Sequence, residues 1–130
     1  EPLRQALHDP EPTVRLQVAQ MLNGAKSRGL AMTVALMLDE EEHPDVLHEL
    51  HVALGRIGTA EATKALVRSS ERGPIFFWRK PTAIRVAAVH GLALCDRPEA
   101  LAALKKLASD RTTDVRNAAS DALSGLEADT

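Results

Sequence analysis

Apolar side chains recur along this chain every three or four positions in four separate stretches, and the stretches are copies of one another. Aligned, they read VRLQVAQML (14–22), VLHELHVAL (46–54), IRVAAVHGL (84–92) and VRNAASDAL (115–123). Each opens on a β-branched residue, Val14, Val46, Ile84 or Val115, and closes eight positions later on Leu22, Leu54, Leu92 or Leu123. Val18, Leu50, Ala88 and Ala119 fall midway. Residues four apart share one side of an α-helix, so each copy predicts a helix with a single apolar stripe. The openers stand 32, 38 and 31 residues apart. A unit of just over thirty residues therefore repeats, and the 38-residue interval carries an insertion.

Each unit has room for a second helix. After Leu54, Gly55 and Gly58 offer a stop, and 59–72 reads as helix with Thr59 near its N-cap. After Leu92, Asp96-Arg97-Pro98-Glu99 is a start signal: Asp can cap, Pro is tolerated in the first turn, and Glu can reach back. The second helices register as well, Ala62 with Ala100, Ala65 with Ala103 and Leu66 with Leu104. In the first unit Leu30, Met32, Val34, Leu36, Met37 and Leu38 are apolar nearly all round, which predicts a helix buried on more than one side. Pro12, Pro44 and Pro81 mark starts of first helices, where the missing N–H costs nothing.

The pattern predicts an all-α chain, an α-solenoid of about three and a half stacked antiparallel helix pairs in a right-handed superhelix. Units fall near 12–43, 44–80, 81–111 and 112–130, with 1–9 the end of a preceding unit. Half units at both ends are expected of a segment of a longer protein.

The stretches DPEPTVRLQVAQML, HPDVLHELHVALGRIGTAEATKAL, TAIRVAAVHGLALCDRPEALAALKKLASD and RTTDVRNAASDAL resemble the HEAT repeat. They are closest to the HEAT-like repeats first grouped with phycobilisome lyases and common in bacterial proteins. The resemblance covers the chain apart from the insertion. It speaks to fold more than to chemistry, because one repeat architecture serves many unrelated partners.

Composition narrows the picture. Apolar residues make up 45% of the chain but aromatic ones only 2%, with no Tyr, so Ala, Leu, Val and Ile carry a core suited to close-packed helices and not to sheets. A net charge of −2 lacks the basic excess that nucleic acid demands. The single cysteine, Cys95, cannot form an internal disulfide, which suits a reducing, cytoplasmic compartment. It reads as a packed small hydrophobe and not as a reactive thiol. No apolar run approaches the ~20 residues of a membrane span.

All the aromatic residues, Phe76, Phe77 and Trp78, sit together in the insertion, followed by Arg79 and Lys80. Trp and Arg are enriched at binding hot spots, so Phe77, Trp78, Arg79 and Lys80 are candidates for a partner surface. The competing reading folds the three rings back to plug the seam that the insertion opens. Lys64, Arg68, Lys105 and Lys106 face away from the apolar positions of the second helices and form a second candidate surface, a basic stripe, or an ordinary solvated face.

Arg15, Arg85 and Arg116 directly follow three of the four openers, while the second unit has Leu47 there. The resemblance implies that these arginines form a structural ladder with acidic residues at the turns, Asp45 and Asp114 among them, along with Asp9 and Asp110. Leu47 should leave a gap filled by apolar packing. The run Asp39-Glu40-Glu41-Glu42 reads as a solvated turn.

His43, His48 and His51 cluster, with His48-Glu49 forming one His-Glu dipeptide. Deoxyhypusine hydroxylase, a di-iron enzyme made of HEAT repeats, carries such dipeptides in several repeats that face one another. Here there is one, and the HExxH pattern is absent, so neither a metal nor another cofactor is expected. No Ser/His/Asp set, phosphate-binding glycine loop or spaced carboxylate pair appears. The expected function is accordingly a non-enzymatic protein–protein interaction module of a larger bacterial protein. The alternatives are a bilin lyase or chromophore-isomerase subunit and, further off, a nucleic-acid-binding array.

Overall fold

The structure, a computed structural model, describes residues 5–6, 8–25, 28–71 and 81–128. Seven α-helices and one short 3₁₀ turn account for these residues, with no strand among them. In chain order they are α1 (Pro12–Ala25), the turn Arg28–Leu30, α2 (Ala31–Glu40), α3 (Pro44–Ile57), α4 (Ala60–Ser70), α5 (Thr82–Leu94), α6 (Pro98–Leu107) and α7 (Thr113–Ala128). First helices α1, α3, α5 and α7 pack side by side in one layer. Second helices α2, α4 and α6 form the other: α4 and α6 each pack against the first helices of their own unit and the next, and α2 packs against α3 and α4.

The ends of the helices follow local chemistry. Pro44 is the first residue of α3, and the His43 side chain accepts a hydrogen bond from the Asp45 N–H. That helix ends at Gly58, whose φ of 66° suits a residue without Cβ. Thr59 caps α4 by accepting from the Ala62 N–H. At α6 the start lies one residue later than the sequence suggests. Arg97 holds the N-cap position without a side-chain bond, since Pro98 claims the first helical position.

The repeat positions fill the core as expected. Val46, Leu50, Leu54, Leu92, Val115 and Ala119 are all buried, and from the second helices so are Leu66, Ala100 and Leu104. Within the layer of first helices, α3 and α5 meet backbone to backbone. There the backbone of Gly55 lies against that of Gly91, and a side chain on either would strike the other helix. His51 lies wholly inside this seam, one ring nitrogen on the Leu47 carbonyl at 2.6 Å and the other on the Ser69 hydroxyl at 2.5 Å. Because the carbonyl can only accept, Nδ1 carries the proton and Nε2 accepts from Ser69.

The arginines of the repeat do bridge units, by a rule the sequence hides. Arg15 donates backward to the Asp9 carbonyl (2.7 Å) and forward to both oxygens of Glu41 (2.8 and 3.0 Å). Arg85, almost fully buried, donates backward to the Ser70 carbonyl (2.8 Å) and forward to both oxygens of Asp110. Arg116 donates backward to the Asp110 carbonyl (3.2 Å). Arg85 thus caps the carbonyl end of α4, where the helix dipole is negative, while Arg15 and Arg116 each take a carbonyl in the turn before their own helix; Arg15 and Arg85 go on to grip a carboxylate at the next turn. The carboxylates are those of Glu41 and Asp110. Asp45 and Asp114 join neither bridge among the described residues. They stand at the very start of the first helices, one residue before the opener, and point along another face.

Two further expectations change. Glu41 is no solvated turn residue: its side chain is 6% exposed, held by Arg15 and by the N–H groups of Glu42 and His43. In α2 only Ala31, Val34 and Met37 are buried, while Met32 and Leu36 are 61% and 57% exposed, because no described element covers that side. Leu47 is buried, as is Arg85 at the equivalent position of the next unit. No helix among the described residues is long and apolar enough to cross a membrane.

Candidate functional site

A groove of about 1100 Å³ runs across the outer face of α3, α5 and α7. Its lining follows the repeat register. Position −1 from the opener contributes Asp45, Ala83 and Asp114; position +2 contributes His48, Val86 and Asn117; position +6 contributes Val52, His90 and Asp121. Steps of three and four residues keep these positions on one helical stripe, opposite the one that builds the core. The floor is apolar, made by Val52, Val86, Leu94 and several alanines. Three carboxylates line it, and among the described lining residues there is no Lys or Arg.

Two histidines meet in this groove. Nδ1 of His90 lies 3.4 Å from Nε2 of His48, with ring centroids 5.5 Å apart and planes at 78°. They come from neighbouring units, 42 residues apart in sequence. Partial burial, and then the charge of His48, pull the His90 imidazole below its ordinary pKa, so it is neutral at pH 7. A neutral imidazole beside a second one can take up or pass on a proton.

His48-Glu49 bears on whether a two-metal carboxylate centre fits. The corresponding pairs on the other first helices are Leu16-Gln17, Val86-Ala87 and Asn117-Ala118. Glu49 is engaged elsewhere, accepting from the Asn23 amide at 2.8 Å. Among the described residues no three His, Cys, Asp or Glu side chains gather as a metal site would require. These donors do not fit a di-iron centre, which draws carboxylates and histidines from several facing helices.

The basic residues proposed from sequence lie on the other layer. Lys64, Arg68 and Lys106 line a smaller groove of about 720 Å³ between α4 and α6, together with Glu71 and Glu99. Lys105 is exposed on α6 outside it. Phe77, Trp78, Arg79 and Lys80, with Phe76, lie outside the described residues. Cys95 is buried with the Thr63 hydroxyl 3.6 Å from its sulfur. Burial pushes its thiol pKa up, against smaller opposing pulls from Thr63 and Arg97. It is packed as a small buried side chain, as its setting suggested.

Sequence reasoning missed His90 and the groove as a whole. The signal was present in the register. His48 and His90 occupy positions +2 and +6, one turn apart on the same outward stripe, but read helix by helix each is a lone polar residue.

Known proteins share this architecture. No curated protein sequence matches the chain. Among solved structures 18 chains match. One is human deoxyhypusine hydroxylase in complex with glycerol, which is 26% identical, with a TM-score of 0.77 over 95% of this chain. The chain spans 41% of that protein's length. This overturns the expectation of a non-enzymatic module, since the same stack of helices, at detectable sequence identity, is the body of an enzyme. The expectation rested on finding no complete catalytic set along the chain, and a repeat stack can spread its chemistry over several units, one side chain from each. A family model described as HEAT repeats matches residues 1–76, more than half of the sequence, and the chain belongs to the HEAT-repeat family.

Proposed function

We propose that this chain is the substrate-holding segment of a HEAT-repeat enzyme, and that the groove across α3, α5 and α7 receives a cationic side chain. The observation that carries the reading is the lining itself: Asp45, Asp114 and Asp121 around an apolar floor, with His48 and His90 in contact beside them. Apolar walls suit the methylene stem of a long amine, and the carboxylates suit its charged nitrogen. The likeness to deoxyhypusine hydroxylase supports the same choice, because deoxyhypusine is a lysine lengthened by an aminobutyl group. In this role His48 and His90 exchange protons with the bound side chain, and the rigid stack keeps the ordering cost of binding low. A single buried thiol agrees with a reducing, cytoplasmic setting.

The test is a labelled deoxyhypusine-containing peptide titrated with the protein and read by fluorescence anisotropy, against the same peptide carrying norleucine. Binding should favour the amine, and Asp114→Asn with Asp121→Asn should weaken it roughly three- to tenfold, as expected for exposed charge pairs. Equal binding of the norleucine peptide, or an unchanged affinity in the double variant, would sink the reading.

A further inference from the structure

We infer that the face of the second-helix layer binds an extended acidic peptide, anchored by an apolar side chain on α2 and held by basic residues on α4 and α6. This surface lies on the opposite layer from the groove of α3, α5 and α7, and the inference does not rest on the amine reading.

The repeat register builds the surface. Val34, Leu66 and Leu104 share one register position and are all fully buried, so the three second helices present corresponding faces. Two positions before them stand Met32, Lys64 and Ala102, and two positions after them stand Leu36, Arg68 and Lys106. All of these flanking residues are exposed. Because α2, α4 and α6 are neighbours in the layer, they form two adjacent rows across it. The rows are apolar on α2, where Met32 and Leu36 are more than half exposed. They are mainly basic on α4 and α6, over a floor that includes Thr63, Val67 and Ala103.

Charge decides what crosses this face, and in which direction. In the shared register Glu99 stands three residues before the Lys64 row, and Glu71 three residues after the Arg68 row. The carboxylates therefore mark the two ends of the α4–α6 groove, and basic side chains fill its middle. A ligand lying along the groove would meet both signs. One crossing the helices at mid-height meets Met32 and Leu36, then Lys64 and Arg68, then Lys106. Lys64 and Lys106 make no ion pair among the described residues, which leaves them open to an anionic partner. Nucleic acid would gain nothing from the apolar α2 end, whereas a peptide can carry both kinds of side chain. Packed helices stand about 8–10 Å apart, and a polyproline-II chain advances ~9 Å in three residues. Every third side chain thus meets a successive helix, the first apolar and the next two acidic.

The test is a chemical-shift titration of the nitrogen-15-labelled protein with the peptide Leu-Pro-Pro-Glu-Pro-Pro-Glu and with its reversed sequence. One of the two should saturably shift the amides of Leu36, Lys64 and Lys106 and leave those of His48 and His90 in place. Replacing both Glu by Gln in the peptide, or its Leu by Ser, should weaken binding roughly threefold or more. Lys64→Gln combined with Lys106→Gln should weaken it roughly three- to tenfold, as expected for two exposed ion pairs. Leu36→Ser should weaken it too, and Lys105→Gln, outside the groove, should leave it unchanged. All four positions are exposed, so each variant keeps the fold. The proposal is overturned if neither peptide binds, if the Gln peptide binds as well, or if oligothymidine saturates the same amides more tightly. Concentration-dependent shifts of those amides without peptide would overturn it in favour of a second copy of this chain. Asp114→Asn with Asp121→Asn should not alter this binding, which keeps its outcome separate from that of the amine reading.

Discussion

Replacing Gly91 with Ala sets two opposing effects against each other at one atom. In a free helix the change is favourable by about 1 kcal/mol, because Gly pays extra backbone entropy to become helical. Within the stack, the new Cβ would stand 2.5 Å from the His51 carbonyl oxygen and 2.6 Å from Cδ2 of Leu66. Both distances are roughly 1 Å short of the ~3.5 Å at which nonbonded heavy atoms settle. The Leu66 methyl can turn aside, but the His51 carbonyl is fixed within α3. The helices must then part, loosening a seam that also holds the buried His51 and its two hydrogen bonds. Overpacking of this kind costs about 1–3 kcal/mol, so after the helix gain the clash should win by up to about 2 kcal/mol. For a domain of this size that lowers the Tm by up to roughly 10 °C.

Gly125 is the internal control, since it lies within α7 and a Cβ there meets nothing within 4 Å. Gly125→Ala should raise the Tm by a few degrees, up to ~1 kcal/mol of stabilisation. Thermal and urea unfolding followed by far-ultraviolet circular dichroism measures both. Gly55→Ala should behave like Gly91→Ala, and the double variant should cost less than the sum, because helices already parted by one methyl accommodate the second more cheaply. If Gly91→Ala stabilises the protein as Gly125→Ala does, the close approach of α3 and α5 is wrong.

The remaining predictions concern the arginine bridges. Burial alone would raise the pKa of Glu41, but the hydrogen bonds from Arg15 and from the N–H groups of His43 and Glu42 outweigh it and hold the carboxyl below its ordinary value. A carboxylate depressed in the folded state contributes stability that is present above the unfolded value, near ~4.3, and is lost as pH falls through the folded one. Urea midpoints of the parent and Glu41→Gln should therefore differ at pH 7 and converge in the acid range, and a constant difference would contradict the bridge. Arg85→Met should cost about 3–5 kcal/mol in urea unfolding, because it takes a buried guanidinium away from both the Asp110 carboxylate and the Ser70 carbonyl. Arg116→Met, whose partly buried side chain makes its backward bond without a carboxylate, should cost under ~1 kcal/mol, and equal losses at the two sites would refute the distinction.

Much of this protein is legible in its amino-acid sequence. Helix period, proline starts and the Leu-to-Leu register fix which residues face the core, because burial of a 3.6-residue stripe is a local property repeated four times. The family follows from the same letters. What the letters could not decide is which residues from different units meet. Arg15 and Arg116 look alike in sequence, yet among the described residues only Arg15 of the two reaches a carboxylate, because Glu41 rises beside it at the next turn. Asp45 and Asp114 look like bridge partners and instead line a groove, because position −1 lies two residues, about 200° around the helix, from the position that the arginines hold. His48 and His90 are separated by 42 residues and by the insertion, and only the stacking of α3 on α5 brings their nitrogens together. Periodicity determines each helix's faces; the distance between two faces is set by how closely two backbones can approach, and here two glycines set it.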